Sequence, residues 1–246
     1  MSSQPSVLPR NQRAYVGGEL DLFARAERWK RYFGSHLASY LSGDVLEVGA
    51  GIGATTRVLC DGRQHSWTCL EPDARLAARI AAPAGDTSPF ALEPKVLTGS
   101  IDELRSSARF DSILYVDVLE HIEDDAAEVR SAVSRLRPSG TLLVLSPAHP
   151  WLYSEFDRAI GHCRRYTRRM FQRMSSPQAR IEKILYLDSV GMLLSMANRV
   201  ILRSGKPSPG QILLWDRVFV RCSTLLDPVL RHRIGKSILG VWRKTG

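Results

Sequence analysis

Short, almost continuous apolar runs alternate with amphipathic segments through the first 150 residues. The runs that predict β-strands are 45–49, 66–71, 95–98, 110–116 and 140–146, the last one preceded by a predicted turn at Pro138–Gly140. The segments with helical spacing are 53–60, 73–81 and 123–136. Strands that are apolar on both faces are typical of a parallel sheet covered by helices on both sides. The alternation therefore predicts an α/β fold with a doubly wound, mostly parallel sheet.

The segments on either side of this core differ from it. Residues 1–44 comprise a polar tail at 1–13, predicted to be disordered, and apolar positions at helical spacing over 19–41. Residues 151–246 begin with a polar, arginine-rich stretch. The elements predicted after that stretch are a strand at 181–187, helices over 189–232 with a break at Gly205–Gly210, and a last strand at 237–241. We expect these two segments and the core at 45–150 to form one integrated domain.

The most informative short segment is 45–53, where an apolar strand containing one acid leads into a G-x-G-x-G loop. Glycines let such a loop turn tightly and let a ligand approach the backbone. A dinucleotide fingerprint would place its third glycine at position 54, where Ala54 is an allowed variant. Glu71 ends the second strand 18 residues beyond Gly53, where an acid can accept hydrogen bonds from ribose hydroxyls. Loop and acid together predict a nucleoside site; the alternative is that Glu71 caps a helix.

A second group of polar residues follows the fourth strand. Asp117, Glu120 and His121 lie at the carboxyl edge of the sheet, where open α/β sheets bind their ligands, and His162 follows in a later loop. Two carboxylates and two imidazoles suit a divalent cation such as Zn²⁺, or Mn²⁺ with added waters. Without a metal, His121 or His162 could act as a general base, with Glu120 beside them. A third alternative is structural, with Glu120 and His121 capping the next helix.

Aromatic side chains and arginines are interleaved in residues 151–180, the predicted lid. Such side chains can stack on a ring and pair with a phosphate group. The residues predicted to bind a substrate, called the acceptor below, are His149, Trp151, Tyr153, Arg158, Arg164, Arg165 and Tyr166. The alternative is a loop whose aromatic side chains pack back on the sheet.

The charge is divided unevenly along the chain, whose net charge is +9. Residues 1–150 contain 16 basic and 19 acidic side chains, whereas residues 151–246 contain 18 and 6. The basic second part suggests an anionic partner, such as a phosphorylated substrate, a nucleic acid or a lipid headgroup, or else an arginine-rich solvated surface. The four cysteines lack C-x-x-C pairing and no apolar leader opens the chain, so we expect a cytoplasmic protein. The apolar stretch 184–201 is too polar to predict a transmembrane segment.

Five motifs together resemble the class I S-adenosylmethionine (SAM)-dependent methyltransferases. They are Val-Leu-Glu-Val-Gly-Ala-Gly-Ile-Gly (45–53), Leu-Glu-Pro-Asp (70–73), Phe-Asp-Ser-Ile-Leu (110–114), Glu-His-Ile-Glu-Asp (120–124) and Leu-Arg-Pro-Ser-Gly-Thr (136–141). The resemblance implies a Rossmann-like sheet of seven strands whose last strand is antiparallel. It implies SAM as the cofactor, bound by Glu47, Gly49, Gly51, Gly53, Glu71, Ser100, Ile101 and Asp117. More loosely, it implies that Trp29 and Tyr32 cap the cofactor.

The acid-x-x-Glu-His pattern with a downstream histidine is similar to two branches of that family. One branch methylates oxygens of the ubiquinone ring, and the other methylates the 2′-hydroxyl at small-RNA 3′ ends. In both, the pattern binds a divalent metal, which implies Asp117, Glu120, His121 and His162 as ligands here. Asp117 replaces the first glutamate of the pattern and has a shorter reach.

These observations predict a SAM-dependent methyltransferase that acts on an oxygen of a small-molecule or lipid-like acceptor, with phosphate on the acceptor as one way to explain the basic tail. RNA 2′-O-methylation is an alternative, although the sequence shows no separate RNA-binding module. A nicotinamide-dependent oxidoreductase would share the glycine loop and the ribose acid, but does not predict the Glu-His pattern. A non-catalytic SAM-binding subunit is the remaining alternative. Peripheral contact with a membrane is compatible with the basic tail.

Overall fold

A computed structural model of the chain describes residues 19–81, 90–174, 177–197 and 208–246. Its seven strands form one sheet in the order β3-β2-β1-β4-β5-β7-β6. The strands are β1 (Asp44–Val48), β2 (Ser66–Glu71), β3 (Lys95–Thr98), β4 (Phe110–Val116), β5 (Leu136–Pro147), β6 (Ala179–Leu187) and β7 (Ser237–Lys244). β1 to β5 are parallel, and β7 runs antiparallel to both β5 and β6. The predicted doubly wound, seven-stranded fold is confirmed.

Helices cover both faces of the sheet, as its apolar strands require. The helices are α1 (Glu19–Ala24), α2 (Glu27–Leu37), α3 (Thr56–Leu59), α4 (Ala74–Ala81), α5 (Asp125–Ser134), α6 (Glu155–Ala159), α7 (Arg168–Arg173), α8 (Ser189–Ala197), α9 (Pro209–Leu214) and α10 (Val220–Val229). Two buried apolar clusters result, one that includes residues of α2 and α9 and one that includes residues of α5 and α7. The strand order reverses between β1 and β4, so their carboxyl ends form the crevice in which such sheets bind ligands.

Two boundaries differ from the predictions within the described residues. The helix predicted at 53–60 is only α3, because the glycine loop extends beyond Gly53. The turn predicted at Pro138–Gly140 lies inside β5, where Ser139 has a φ of 63° and the pairing with β4 shifts register. β5 contains three more residues than β4 between the pairs Phe110–Leu136 and Ser112–Thr141, so the backbone turns out of the ladder here. Gly140 suits this turn because a Cβ there would lie 2.9 Å from the Arg137 carbonyl oxygen. The predicted disordered tail at 1–13 lies outside the described residues, as does the first part of the break at Gly205–Gly210.

Buried acids attach the C-terminal helices to the rest of the domain. Asp216 caps the start of α2 by accepting a hydrogen bond from the Trp29 N–H at 2.9 Å. Asp227 accepts hydrogen bonds from the Tyr32 hydroxyl and the Asp188 N–H, both at 2.7 Å. These contacts join α2, β6 and α10 directly. None of the described helices combines the length and apolarity needed to cross a membrane.

Candidate active site at the carboxyl edge of the sheet

The glycine loop is fixed to β2 by its own backbone. Gly49 and Gly51 have φ angles of 69° and 58°, a conformation that favours glycine. The Gly49 N–H donates to the Leu70 carbonyl at 2.7 Å, and the Gly51 N–H donates to Glu71 Oε2 at 2.8 Å. Leu20 of α1 covers the loop, 3.5 Å from where a Cβ on Gly51 would lie. The loop therefore has its predicted tight turn, and α1 is the element that covers it.

Glu71 lies at the end of β2, as predicted. Its second carboxylate oxygen accepts the Asp73 N–H at 2.9 Å, so both oxygens have defined directions. Burial raises the pKa of Glu71, and the hydrogen bonds from Asp73 and Gly51 oppose that shift. The side chain is thus held at the edge of the crevice, next to the loop.

The Glu47 carboxylate is held by side chains of α3 and β2. Its carboxylate accepts the Thr56 hydroxyl at 2.6 Å and the Trp67 indole N–H at 3.0 Å. The residue is buried, and burial raises its pKa to about 7. We conclude that Glu47 holds α3 against β1 and β2 from inside, and its place around the cofactor stays a prediction.

Two other predicted cofactor contacts lie after β3. The Ser100 N–H donates to Glu103 Oε2 at 2.6 Å, which caps a short 3₁₀ turn. Ile101 is fully buried in the apolar cluster that contains residues of α5. The turn lies at the carboxyl edge beside β2, so the backbone here is placed to face a ligand, whereas the Ile101 side chain is packed inward.

Trp29 and Tyr32 do not cap the crevice. Trp29 packs against Trp215, with ring centroids 5.7 Å apart, and the Tyr32 hydroxyl bonds to Asp227. Both side chains are buried in the contact between α2 and the C-terminal helices. The looser expectation from family resemblance is therefore corrected, and Leu20 takes the covering position.

Asp117 stands at the junction between the cofactor loop and the second cluster. Its φ is 53°, and the next residue, Val118, packs so closely on the loop that a Cβ on Gly49 would lie 2.5 Å from it. The Asp117 residue is exposed to solvent, and the protein around its carboxylate raises the pKa of that group. The positive charges of His162, then Lys236 and Lys30, oppose the shift. Neither lysine was predicted from its sequence context.

Glu120, His121 and His162 come together although 41 residues separate the two histidines. Glu120 is fully buried, and neither carboxylate oxygen has a partner in hydrogen-bonding geometry, although the Ser146 hydroxyl is near enough to oppose the rise of its pKa. Glu120 Oε1 lies 3.8 Å from His162 Nε2, and the two imidazole centroids are 4.7 Å apart. Burial is the main reason that the pKa of Glu120 lies well above its usual value, and the negative charge of Asp117 adds to the shift. Burial, then the charge of His162, lowers the pKa of His121 to about 4, so its ring is neutral near pH 7.

Asp157, which the sequence analysis missed, orients His162. Its Oδ1 lies 2.8 Å from His162 Nδ1, and Arg165 binds both carboxylate oxygens at 2.9 and 3.0 Å. Burial acts to raise the pKa of Asp157, but the hydrogen bonds from His162 and Arg165 outweigh it and hold this pKa well below its usual value. An ionised Asp157 favours the proton of His162 on Nδ1 and leaves the Nε2 lone pair facing Glu120.

The donor set of this cluster fits a divalent cation. Ligand atoms of Glu120, His121 and His162 lie within 4.8 Å of one another, and Asp157 supplies the carboxylate that metal-binding histidines usually have behind them. The unpartnered Glu120 carboxylate is the kind of group that a cation would satisfy. Asp117, expected as a fourth ligand, is not part of this set among the described residues.

Most of the predicted acceptor residues have partners within the chain. Arg158 pairs with Glu155 at the surface. Arg164 pairs with Asp125 at 2.9 Å. The Tyr153 hydroxyl donates to the His162 carbonyl at 2.7 Å, which supports the loop that carries His162. These contacts indicate that the segment is a packed cover for the cluster.

Of the remaining four residues predicted to bind the acceptor, two are buried among other side chains and two lie nearer the surface. Tyr166 is fully buried and donates to Asp125, and Arg165 is held by Asp157, so both serve the interior; this corrects the expectation that they face the acceptor. His149 stacks on Tyr186, with centroids 4.9 Å apart, and its Nε2 is buried without a partner. Trp151 is half-exposed beside His149. His149 and Trp151 are therefore the members best placed to meet a ligand.

Comparison with known proteins agrees with this geometry. The methyltransferase domain family matches residues 21–189. Coclaurine N-methyltransferase bound to N-methylheliamine and S-adenosylhomocysteine (SAH) has a TM-score of 0.61 at 13% identity, over 89% of this chain and 72% of that chain. N-methyltransferase NodS from Bradyrhizobium japonicum with SAH has a TM-score of 0.56 at 14% identity, over 96% and 95%. An S-adenosylmethionine-dependent methyltransferase from Clostridium acetobutylicum has a TM-score of 0.55 at 11% identity, over 93% and 96%. A search of curated proteins found no match.

The strand order and the glycine loop define a class I methyltransferase fold. The chain belongs to the methyltransferase domain family and is a SAM-dependent methyltransferase. This decides against a nicotinamide oxidoreductase and against a non-catalytic subunit. The structural likenesses, at such low identity, show the shared fold and leave the acceptor open.

Proposed function

We propose that the chain transfers the methyl group of SAM to an oxygen of a small-molecule or lipid-like acceptor. The observation that carries this proposal is the cluster at the crevice, where Asp157 orients His162 and a buried Glu120 faces its free Nε2. The excess of basic residues after residue 150 supports an acceptor with a phosphate or another negative group.

The cofactor side of the crevice fits SAM. The residues that would hold it are the backbone of Gly49 and Gly51, the carboxylate of Glu71 and the turn at Ser100. A loop without Cβ atoms suits a close backbone approach, and a carboxylate at the end of β2 suits ribose hydroxyls. When bound, SAM supplies a methyl group already activated by its sulfonium.

His162 is proposed to accept the proton of the acceptor hydroxyl at Nε2. Asp157 fixes the tautomer and would stabilise the imidazolium that forms. Glu120, 3.8 Å away, would favour the same charged state whenever it is ionised. A hydroxyl needs a proton acceptor to become a good nucleophile, whereas a neutral amine already has a free electron pair. The built proton acceptor therefore supports an oxygen acceptor over the nitrogen acceptors of the two similar N-methyltransferases.

A divalent metal is the second candidate, because Glu120, His121 and His162 form a compact donor set. A cation held there would lower the pKa of a bound hydroxyl. These three side chains would be its ligands, with Asp157 behind His162. Metal content of the purified protein, measured by mass spectrometry before and after Glu120→Gln, reports on this candidate independently of activity.

Transfer of radiolabelled methyl from SAM into cell extracts tests the proposal. Lipid, small-molecule and RNA fractions are offered separately to the wild-type protein and to the His162→Ala variant. We expect a methyl ether in the lipid or small-molecule fraction that the variant fails to form. A labelled methylamine would contradict oxygen transfer, and a labelled RNA 2′-O-methyl group would favour the RNA alternative.

A further inference from the structure

The long helix near the C-terminus buries polar as well as apolar side chains and exposes large apolar ones. α9, a π-helical turn at Trp215–Phe219 and α10 form one continuous helix over 209–229, called here the outer helix, about 30 Å long. On its inner side Ser223 and Asp227 are fully buried. On its outer side Leu225 and Val229 are 75% and 76% exposed. A surface helix of a globular protein normally has the opposite arrangement.

Hydrogen bonds explain the inner side. The Ser223 hydroxyl donates to Asp188 Oδ1 at 2.8 Å. Asp227 accepts the Tyr32 hydroxyl and the Ser189 N–H at 2.7 and 3.0 Å. The helix is therefore attached through polar contacts together with buried side chains such as Trp215. This attachment does not use the outward apolar residues.

The outward apolar residues follow one side of the helix in two pairs, with exposed Arg221 and Cys222 in the turn between the pairs. Leu214, Val218, Leu225 and Val229 recur at helical spacing and are all exposed; they are called here the apolar stripe. Leu226, beside it, is exposed as well. Several large apolar side chains exposed on one side of a helix mark an interaction site, because exposing them to water is unfavourable.

The exposed charges around the stripe are of one sign. Arg217, Arg221, Arg231 and Arg233 are all exposed. The acids between residues 189 and 236 are Asp216 and Asp227, and both are buried and hydrogen-bonded. Among the described residues of this segment, every exposed charged side chain is therefore basic. An apolar stripe flanked by arginines is the pattern of helices that lie in the interface of anionic membranes.

We propose that the outer helix docks the protein on an anionic membrane surface, with the apolar stripe in the headgroup region and the arginines on lipid phosphates. Arginine suits phosphate because its guanidinium can donate two parallel hydrogen bonds. The helix also borders the crevice, since Lys236 lies 4.9 Å from the Trp215 ring centroid and its charge acts on Asp117. Docking would bring this wall of the crevice to the lipid. The proposal does not depend on which atom is methylated.

Flotation of the purified full-length protein with lipid vesicles tests the docking. The probes are vesicles of phosphatidylcholine alone and vesicles with about one-third phosphatidylglycerol. We expect at least about tenfold tighter binding to the anionic vesicles, weakened by added salt. Binding to neither kind of vesicle, or equal binding to both, would overturn the proposal.

Paired variants separate the two parts of the surface. Leu225→Gln/Val229→Gln should weaken vesicle binding about tenfold or more, because less apolar area enters the interface. Arg217→Glu/Arg221→Glu should weaken it at least as much, whereas Lys95→Glu/Arg130→Glu, an equal charge change on exposed residues elsewhere, should change it about twofold or less.

Thermal unfolding followed by circular dichroism checks that each variant is folded. If Leu225→Gln/Val229→Gln does not fold, the single variant Leu225→Gln takes its place. Equal losses in the Lys95/Arg130 control would overturn the proposal. A second result would also overturn it: the wild-type protein sediments as a dimer, Leu225→Gln/Val229→Gln sediments as a monomer, and neither protein binds vesicles. The apolar stripe would then join two copies of the chain.

Discussion

The two sides of the crevice treat their buried carboxylates differently. On the glycine-loop side, Glu47 and Glu71 each accept two hydrogen bonds from neighbouring groups. On the other side, Glu120 is fully buried and accepts none within the described chain. An unsatisfied buried carboxylate costs free energy, so it persists where function needs it. The contrast supports our proposal that the first side keeps its shape for the cofactor and the second acts on the acceptor.

The largest effect should come from His162. His162→Ala should lower kcat about 10²- to 10⁴-fold, since a general base contributes about that much. SAH affinity, measured by calorimetry, should stay unchanged because the side chain lies on the acceptor side. His65→Ala, at an exposed histidine paired with Asp44, is the matched control and should retain full activity. A fully active His162→Ala enzyme would make the second cluster structural.

The role of Glu47 on the glycine-loop side of the crevice is tested through the pH dependence of the free energy of unfolding. Burial raises the pKa of Glu47 in the folded chain from 4.5 to about 7. The folded state thus keeps a proton that the unfolded chain releases between these values, so the free energy of unfolding falls as the pH rises through this window. Glu47→Gln should remove that fall and add up to about 3 kcal/mol at pH 8, with little gain near pH 4.5.

Urea unfolding of both proteins at pH 5 and pH 8 measures this difference. Glu27→Gln, at an exposed carboxyl on α2, is the control and should show no such dependence. An equal gain from Glu47→Gln at both pH values would show that Glu47 does not hold a raised pKa.

Glu71 should control cofactor binding and nothing else. Glu71→Ala should weaken SAH binding by about 2 kcal/mol, or about thirtyfold, because a charge-assisted contact is lost. Exposed Glu93→Ala is the control and should bind as the wild type does.

The smallest effect should come from metal removal. Because His162 is proposed to take the proton directly, dialysis against EDTA should leave the rate of methyl transfer nearly unchanged. An activity that is lost on dialysis and restored by Zn²⁺ or Mn²⁺ would move the assignment from a general base to a metal held by Glu120, His121 and His162.

The sheet and the cofactor loop could be predicted from the sequence because their signals are local. An apolar run, a glycine spacing and an acid at a strand end each depend on a few neighbouring residues. The meeting of Glu120 with His162 was also predicted, through the resemblance of the Glu-His pattern and its downstream histidine to two methyltransferase branches. The placement of the Pro138–Gly140 turn inside β5 was not, because proline, serine and glycine together are typical of a turn that ends or precedes a strand.

Roles that depend on packing could not be predicted in this way. Asp157 is one acid among many until α6 places it against His162. Tyr166 belongs to an aromatic and arginine-rich segment typical of a binding loop, yet the structure buries it on Asp125. Lys30 and Lys236 approach Asp117 from opposite ends of the chain, and no sequence spacing connects them.

The central claim is that the glycine-loop side of the crevice binds the cofactor and the His162 side acts on the acceptor. It is tested most directly by titrating SAH into Glu71→Ala, His162→Ala and the wild type side by side. We predict that only Glu71→Ala loses affinity, about thirtyfold, and that His162→Ala binds SAH as the wild type does. Equal losses in both variants, or a Glu71→Ala protein that binds with wild-type affinity, would contradict this claim.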